Sequence, residues 1–204
     1  MNKSENMFFK ILDIFAHFVL LNALWVICCI PIFTIFPATT ALFGVARKWH
    51  VEGTDVGVVR IFFQLFKTNF KKSFIIGLIW LLAGFILYFD LSIVLQIDFT
   101  GKIFVFILLI FSSILYVFMT IYIFFILVHQ DLTIVQSIKN ALFMSIGYYL
   151  HTFLIIAILI GALAITYLAP IFLMVIGSVL AFSIYQVFQR VLNNRTMKAS
   201  GLHV

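Results

Sequence analysis

Few side chains in this sequence are of a kind that does chemistry, and they lie far apart. Asp90 sits inside an apolar run, where an acid is costly and often functional. It lies only about five residues, roughly 8 Å, from the end of that run. A carboxylate that snorkels or pairs with a loop therefore competes with a proton relay. A relay would need a second titratable group at the same depth, and no other apolar run clearly offers one. Asn22 is the other strongly polar residue deep in such a run.

The histidines are His17, His50, His129, His151 and His203. None stands at helical metal spacing from another histidine or an acid in the usual patterns. His17 follows Asp13 by one helical turn, which predicts a satisfied pair on one face; a meeting of His129 with His151 is left open. Cys28 and Cys29 are adjacent. Neighbours on a helix point in different directions and do not form a normal disulfide, so they are expected to be small apolar fillers. No phosphate-binding glycine loop, nucleophile elbow, His-Glu-x-x-His pair or dinucleotide fingerprint occurs. With 7 Asp and Glu in 204 residues, multi-acid catalysis is disfavoured. The expectation is a protein that is not an enzyme, with no catalytic, cofactor-binding or metal-binding residue and no cofactor.

The elements that carry these residues are set by composition. The chain is 65% hydrophobic and 10% charged, with 26 phenylalanines. Soluble domains run about 45–50% apolar and about 25% charged. So few charges cannot cover so large a core in water, which makes the bilayer the solvent. The net charge of +6 falls in loops between apolar runs. It therefore speaks for orientation and anionic lipid, and no basic stripe long enough for nucleic acid exists. The first apolar run is too long for a cleaved signal peptide and lacks a clear cleavage site.

That first run, from Ile14 to Phe43, is too long for one span of about 20 residues and too short for two of about 40. Pro31 and Pro37 interrupt it. Pro37 suits the first turn of a new helix, and Thr34, Thr39 and Thr40 can satisfy backbone groups freed by the break. The run is thus a broken span or one that turns back, and the prolines form either a structural elbow or a binding or gating break. The expected architecture is an all-α integral membrane protein, a single domain over 1–204. It has about five hydrophobic segments: 14–36, broken or re-entrant at Pro31/Pro37 and continuing as a half-helix over 38–50, then 74–95, 103–128, 152–169 and 171–189. Two interfacial amphipathic helices are expected over 58–72 and 132–145, the second capped by Asp131.

In the first of these, Val59, Phe62, Phe63, Phe66 and Phe70 share a face, and Arg60, Gln64, Lys67 and Lys71 share another. Arg60, Phe62, Phe66, Lys67, Lys71 and Lys72, with Lys139 from the second, are candidate contacts for a partner or for lipid. Small residues one turn apart, Gly177 with Ala181 and Thr40 with Gly44, suit close helix packing within the chain and leave a homo-oligomer contact open. One side of the topology collects Arg47, Lys48, Arg60, Lys67, Lys71, Lys72, Lys139, Arg190, Arg195 and Lys198. The other holds Lys102, joined by Lys3 and Lys10 only if the first segment crosses fully. Either way the C-terminus is expected in the cytoplasm.

Leu21–Trp25, the run from Pro31 through Thr34, Pro37, Thr39 and Thr40 to Leu42, and Arg47-Lys48 resemble the N-terminal signature of the YesL-like family. That family is a domain-of-unknown-function group of small bacterial membrane proteins, chiefly from Gram-positive bacteria. Asn69-Phe70-Lys71-Lys72 is similar too. The resemblance covers about the first third of the chain; beyond Ser73 it rests on size and span pattern. It implies a multi-pass protein of the bacterial plasma membrane without assigned enzymatic activity, and it supplies no catalytic residues. Family members are often encoded beside sugar-uptake ABC transporters. The expectation is an accessory subunit of, or partner to, a carbohydrate ABC transporter, in contact with its permease subunits. The alternatives are a small independent channel or transporter and a cell-envelope polymer biosynthesis factor, a role the resemblance also implies.

Overall fold

The computed structural model describes residues 3–54, 57–129 and 132–199. Among these residues seven α-helices follow one another: α1 Lys3–Cys29, α2 Ile35–Glu52, α3 Val58–Gln96, α4 Lys102–His129, α5 Ile134–Gly147, α6 Tyr149–Leu168 and α7 Ile176–Ala199. Short 3-10 segments at Ile32–Thr34 and Pro170–Met174 precede α2 and α7. No strand occurs among the described residues.

Among the described residues, four helices are long and apolar enough to cross a membrane: Phe9–Cys29, Val58–Gln96, Lys102–His129 and Tyr149–Leu168. Their outward faces are apolar, with Leu82, Phe85, Ile107, Phe111 and Leu163 all more than half exposed. So continuous an exposed apolar surface is stable in lipid and not in water. The expected segment 171–189 is divided: its first residues form the 3-10 segment, and helix begins at Ile176.

The break in the first apolar run turns the chain back on itself. Phe18 packs edge-on against Trp49 at 4.8 Å between centroids. Trp25 Nε1 donates to Thr39 Oγ1 at 3.2 Å. Early α1 is thus level with late α2 and late α1 with early α2, an antiparallel hairpin. Pro31 opens the elbow in an extended conformation, and Pro37 lies within the first turn of α2, where its missing N–H breaks no bond. Thr34 donates to the carbonyl oxygens of Cys28 and Pro31, both at 2.6 Å. One of the carbonyls left over at the end of α1, that of Cys28, gains a donor in this way.

α3 differs from expectation. The interfacial helix 58–72 and the span 74–95 are one uninterrupted helix, because no proline or glycine stands between Lys72 and Ile76 to end it. Its first half packs antiparallel to α2, with Ser73 Oγ donating to Thr40 Oγ1 at 3.0 Å. Its second half runs antiparallel to α4, with Trp80 Nε1 donating to Thr120 Oγ1 at 2.8 Å and Tyr116 donating to the Trp80 carbonyl at 3.1 Å.

The short helix α5 begins two residues later than expected. Its N-cap is Thr133, in a capping box with Gln136, and Asp131 lies outside the described residues. At the start of α4, Lys102 donates to Asp98 in the preceding loop at 2.8 Å. That bond and the ammonium charge hold the Asp98 carboxyl below its usual range. The core gathers Leu21, Val45, Trp49, Phe62, Ile76, Tyr122, Phe125, Tyr185 and Phe188 from α1, α2, α3, α4 and α7.

Candidate functional site

The polar groups gather in two places. One is the region around the α1–α2 elbow and the start of α7. Asn22 is buried there, and its amide bonds the Leu173 carbonyl at 2.8 Å and the Gly177 N–H at 3.0 Å. Ser178, also buried, donates to the Phe18 and Val175 carbonyls. Asn22 therefore ties α1 to the broken stretch between the Pro170–Met174 segment and α7. Thr40 donates to the Phe36 carbonyl at 2.9 Å while accepting from Ser73. Thr34, Thr39 and Thr40 are all engaged, and the elbow is knit together by its own side chains.

The second place is a cavity of about 340 Å³ between α2, α3 and the carboxyl end of α4. Gly44, Arg47, Lys48, Val51 and Glu52 line it from α2, Leu65, Thr68 and Asn69 from α3, and Leu127 and Val128 from α4. Arg47 Nη1 donates to the Val128 carbonyl, one of the last carbonyls of α4, which have no partner within the helix. The guanidinium also faces the Tyr185 hydroxyl on α7. Beside it His129 stacks on Phe125 with centroids 5.1 Å apart, and its buried Nδ1 has no hydrogen-bond partner among the described residues. The indole N–H of buried Trp49 has none among them either. Thr68 donates to the Gln64 carbonyl and Asn69 to the Leu65 carbonyl. Free donors in the cavity therefore come chiefly from Arg47 and Lys48, with the second N–H of the Asn69 amide beside them.

The residues singled out in the sequence are dispersed. Arg60, Lys67 and Lys71 are exposed along the first half of α3, and Lys72 is half-buried. Phe62 is fully buried and Phe66 half-buried. Phe62 is therefore no surface for a partner or lipid, because α3 is packed against α2 along this half. Lys139 is exposed on α5, its ammonium 5.8 Å from the Phe143 ring centre. Asp90 is exposed on α3 and has no ion pair among the described residues. His17 Nδ1 lies 2.8 Å from the Asp13 carbonyl and 3.5 Å from its carboxylate. His151 packs edge-on against Tyr148, whereas His129 has Phe125 as its neighbour. Cys28 and Cys29 are free thiols, and Arg195 and Lys198 have no described side chains. Sequence reasoning counted Arg47 and Lys48 among the charges that set orientation and missed the cavity. The available signal was an arginine between Ala46 and Trp49 in a stretch that is otherwise core.

An all-helical bundle with several membrane-length apolar helices, pinned at a proline elbow by threonine and asparagine side chains, defines the class: a multi-pass helical membrane protein. A family profile described as "Protein of unknown function, DUF624" matches residues 18–91, which span the second half of α1, the elbow, α2 and most of α3. YesL of Bacillus subtilis (strain 168), described as an uncharacterized protein, is 32% identical over 157 residues, 76% of this chain and 74% of YesL. YteU of the same organism, described in the same words, is 35% identical over 149 residues, 71% of this chain and 66% of YteU, just under two thirds of it. The chain belongs to the YesL-like DUF624 family. No solved structure matches it.

Proposed function

We propose that this protein is a non-catalytic accessory subunit of, or partner to, a carbohydrate ABC transporter in the bacterial plasma membrane. The observation that carries the docking role is the length of α3. Its 39 residues make a rod of about 58 Å against a hydrocarbon core of about 30 Å. The excess length lets the amino end of α3 emerge at the cytoplasmic surface, with exposed Arg60, Lys67 and Lys71 along a half that is stiffened by α2. A rigid basic arm of this kind suits docking to a cytoplasmic or interfacial surface of the permease subunits.

The non-catalytic reading draws on how the polar side chains are used. Asn22, Thr34, Thr40, Ser73, Thr120, Thr152 and Ser178 all bond backbone or neighbouring helices. In the proposed topology the α1–α2 hairpin enters and leaves from the cytoplasmic side. The remaining segments cross, with the Pro170–Met174 segment and the apolar part of α7 together covering about 30 Å as the last crossing. The C-terminus is then cytoplasmic, on the side rich in lysine and arginine.

The test is affinity purification of the full chain from its native membrane under mild detergent. Permease subunits should co-purify, and a variant with Arg60, Lys67 and Lys71 all changed to Gln should lose them while still folding. A wild-type preparation free of any transporter component overturns the proposal. For the alternative of an independent channel, the Pro37 helix start offers little, since Thr34, Thr39 and Thr40 there are already engaged. Solute flux through proteoliposomes holding this protein alone would be needed to revive it. An envelope-polymer factor would instead show altered wall polymers on deletion with sugar uptake intact.

A further inference from the structure

The cavity behind Arg47 has no part in the docking role. We infer that it is a binding site for a phosphate ester, with Arg47 and Lys48 holding the phosphate oxygens. Both side chains are half-buried and line the same space. Arg47 is anchored at one end by its bond to the Val128 carbonyl. That fixes the plane of a guanidinium that has five N–H donors, leaving further N–H groups for an oxyanion.

Lys48 has no hydrogen bond and no ion pair among the described residues. Glu52 lines the same cavity one turn further on, yet the described ion pairs are His17–Asp13 and Lys102–Asp98. A half-buried ammonium beside a second cation, with no anion bonded to it, is a site that favours an added negative charge.

The other polar walls are mainly acceptors. Thr68 and one N–H of Asn69 bond their own helix, the Asn69 amide keeps a second N–H and its oxygen, and Glu52 accepts only. The pattern fits a phosphate whose substituent donates hydrogen bonds, such as a glycerol hydroxyl or an ethanolamine ammonium. A volume of about 340 Å³ falls at the lower end of small-ligand sites, about 300–1,000 Å³. Two sources supply this chemistry, a phospholipid headgroup at the membrane surface and a soluble phosphate ester.

The experiment titrates the detergent-purified full chain with dihexanoyl-phosphatidylglycerol, dihexanoyl-phosphatidylethanolamine, glycerol 3-phosphate and inorganic phosphate, read by native mass spectrometry and thermophoresis. At least one organic ester should bind saturably. Lys48→Gln should weaken it about tenfold, the worth of one charge-assisted bond. The double variant Lys67→Gln, Lys71→Gln, on the exposed arm, should leave it within about twofold of wild type. Lys48→Gln breaks no described contact, so it is expected to fold, and Arg47→Lys provides a second loss that keeps the charge but not the fork. Tighter binding of the short-chain lipids than of glycerol 3-phosphate assigns the site to lipid, and equal binding assigns it to a soluble ester. Absence of saturable binding by all four probes overturns the inference, as does wild-type binding in Lys48→Gln. Neither result depends on a transporter being the partner.

Discussion

The side-chain amide of Asn22 reaches both edges of the break before α7: Nδ2 donates to the Leu173 carbonyl at 2.8 Å and Oδ1 accepts from Gly177 N–H at 3.0 Å. Only this orientation of the amide satisfies both groups. A helix that starts within the bundle leaves N–H groups without intrahelical partners, and Asn22 supplies one acceptor there. Asn22→Leu should destabilise the protein by about 2–4 kcal/mol, because two backbone groups lose their partners together. Asn22→Asp keeps the acceptor, loses the donor and should fall between. Gly177→Ala should be damaging too, since an added Cβ would sit 2.6 Å from Asn22 Oδ1 and 2.9 Å from the Trp25 ring. Combined with Asn22→Leu it should cost less than the sum, as the two changes break one contact. Chemical denaturation in detergent would measure this; wild-type stability in Asn22→Leu would show that the amide holds nothing.

Gly77 and Gly44 both face a neighbouring helix, but they should respond differently to alanine. A Cβ at Gly77 would lie 2.9 Å from both Cβ and Cγ of Phe36. Those atoms sit at the root of a side chain and cannot swing aside without moving α2. At Gly44 the nearest atom is Leu65 Cδ1 at 2.8 Å, with the rest of that side chain at 3.5 Å or more, and a leucine tip can rotate away. Gly77→Ala should therefore cost about 1–3 kcal/mol from overpacking. Gly44→Ala should be near neutral, the helix-propensity gain of about 1 kcal/mol offsetting a small rotamer change. Equal melting temperatures for the two variants would contradict this account.

The membrane environment was legible from the apolar runs, because length and hydropathy report directly on what a helix can bury. So was the position of the break, since Pro31 and Pro37 remove donors whatever surrounds them. The direction of the chain after the break was not legible. It shows in Phe18 meeting Trp49 and Trp25 meeting Thr39, contacts between residues on different helices that local pattern does not encode. The burial of Phe62 was hidden for a related reason. An aromatic face on a basic helix looks the same whether it meets lipid or another helix, and here α2 covers it. The start of α5 could have been found. Thr133 followed three residues later by Gln136 is a capping-box pattern, and the nearby Asp131 drew the reading away from it.

That capping box makes a prediction of its own. Thr133 Oγ1 accepts from the Gln136 N–H at 3.4 Å, and the Gln136 side chain accepts from the Thr133 N–H at 3.0 Å. The first of these is long, so the second carries more of the cap. Thr133→Ala should raise hydrogen exchange at the start of α5 by an amount matching about 0.5–1 kcal/mol of local stability. Gln136→Ala should do at least as much. Both effects should stay local, since each residue is exposed. Exchange unchanged in both variants would mean that packing alone fixes the start of this helix.

The antiparallel pairing of α1 with α2 fixes which sites share a side of the membrane. A hairpin returns residues before Phe18 and residues after Trp49 to the same surface, while α3 carries the chain away from it towards the loop containing Asp98. Exposed Lys10, Val51 and Asp98 report on these three positions. With Cys28 and Cys29 replaced by Ala, single cysteines at 10, 51 and 98 can be labelled with an impermeant maleimide in right-side-out and inverted vesicles. Positions 10 and 51 should react only in inverted vesicles, and 98 only in right-side-out ones. Labelling of 10 together with 98 would mean that α1 crosses and that the Phe18–Trp49 contact does not exist in the membrane. Ala replacement of Trp25, which releases Thr39 at the elbow, should leave the sidedness intact while lowering stability. The turn is held by Pro31, by the bonds of Thr34 and by the packing of α2 on α3, and no single indole hydrogen bond is strong enough to set the direction of a helix against those.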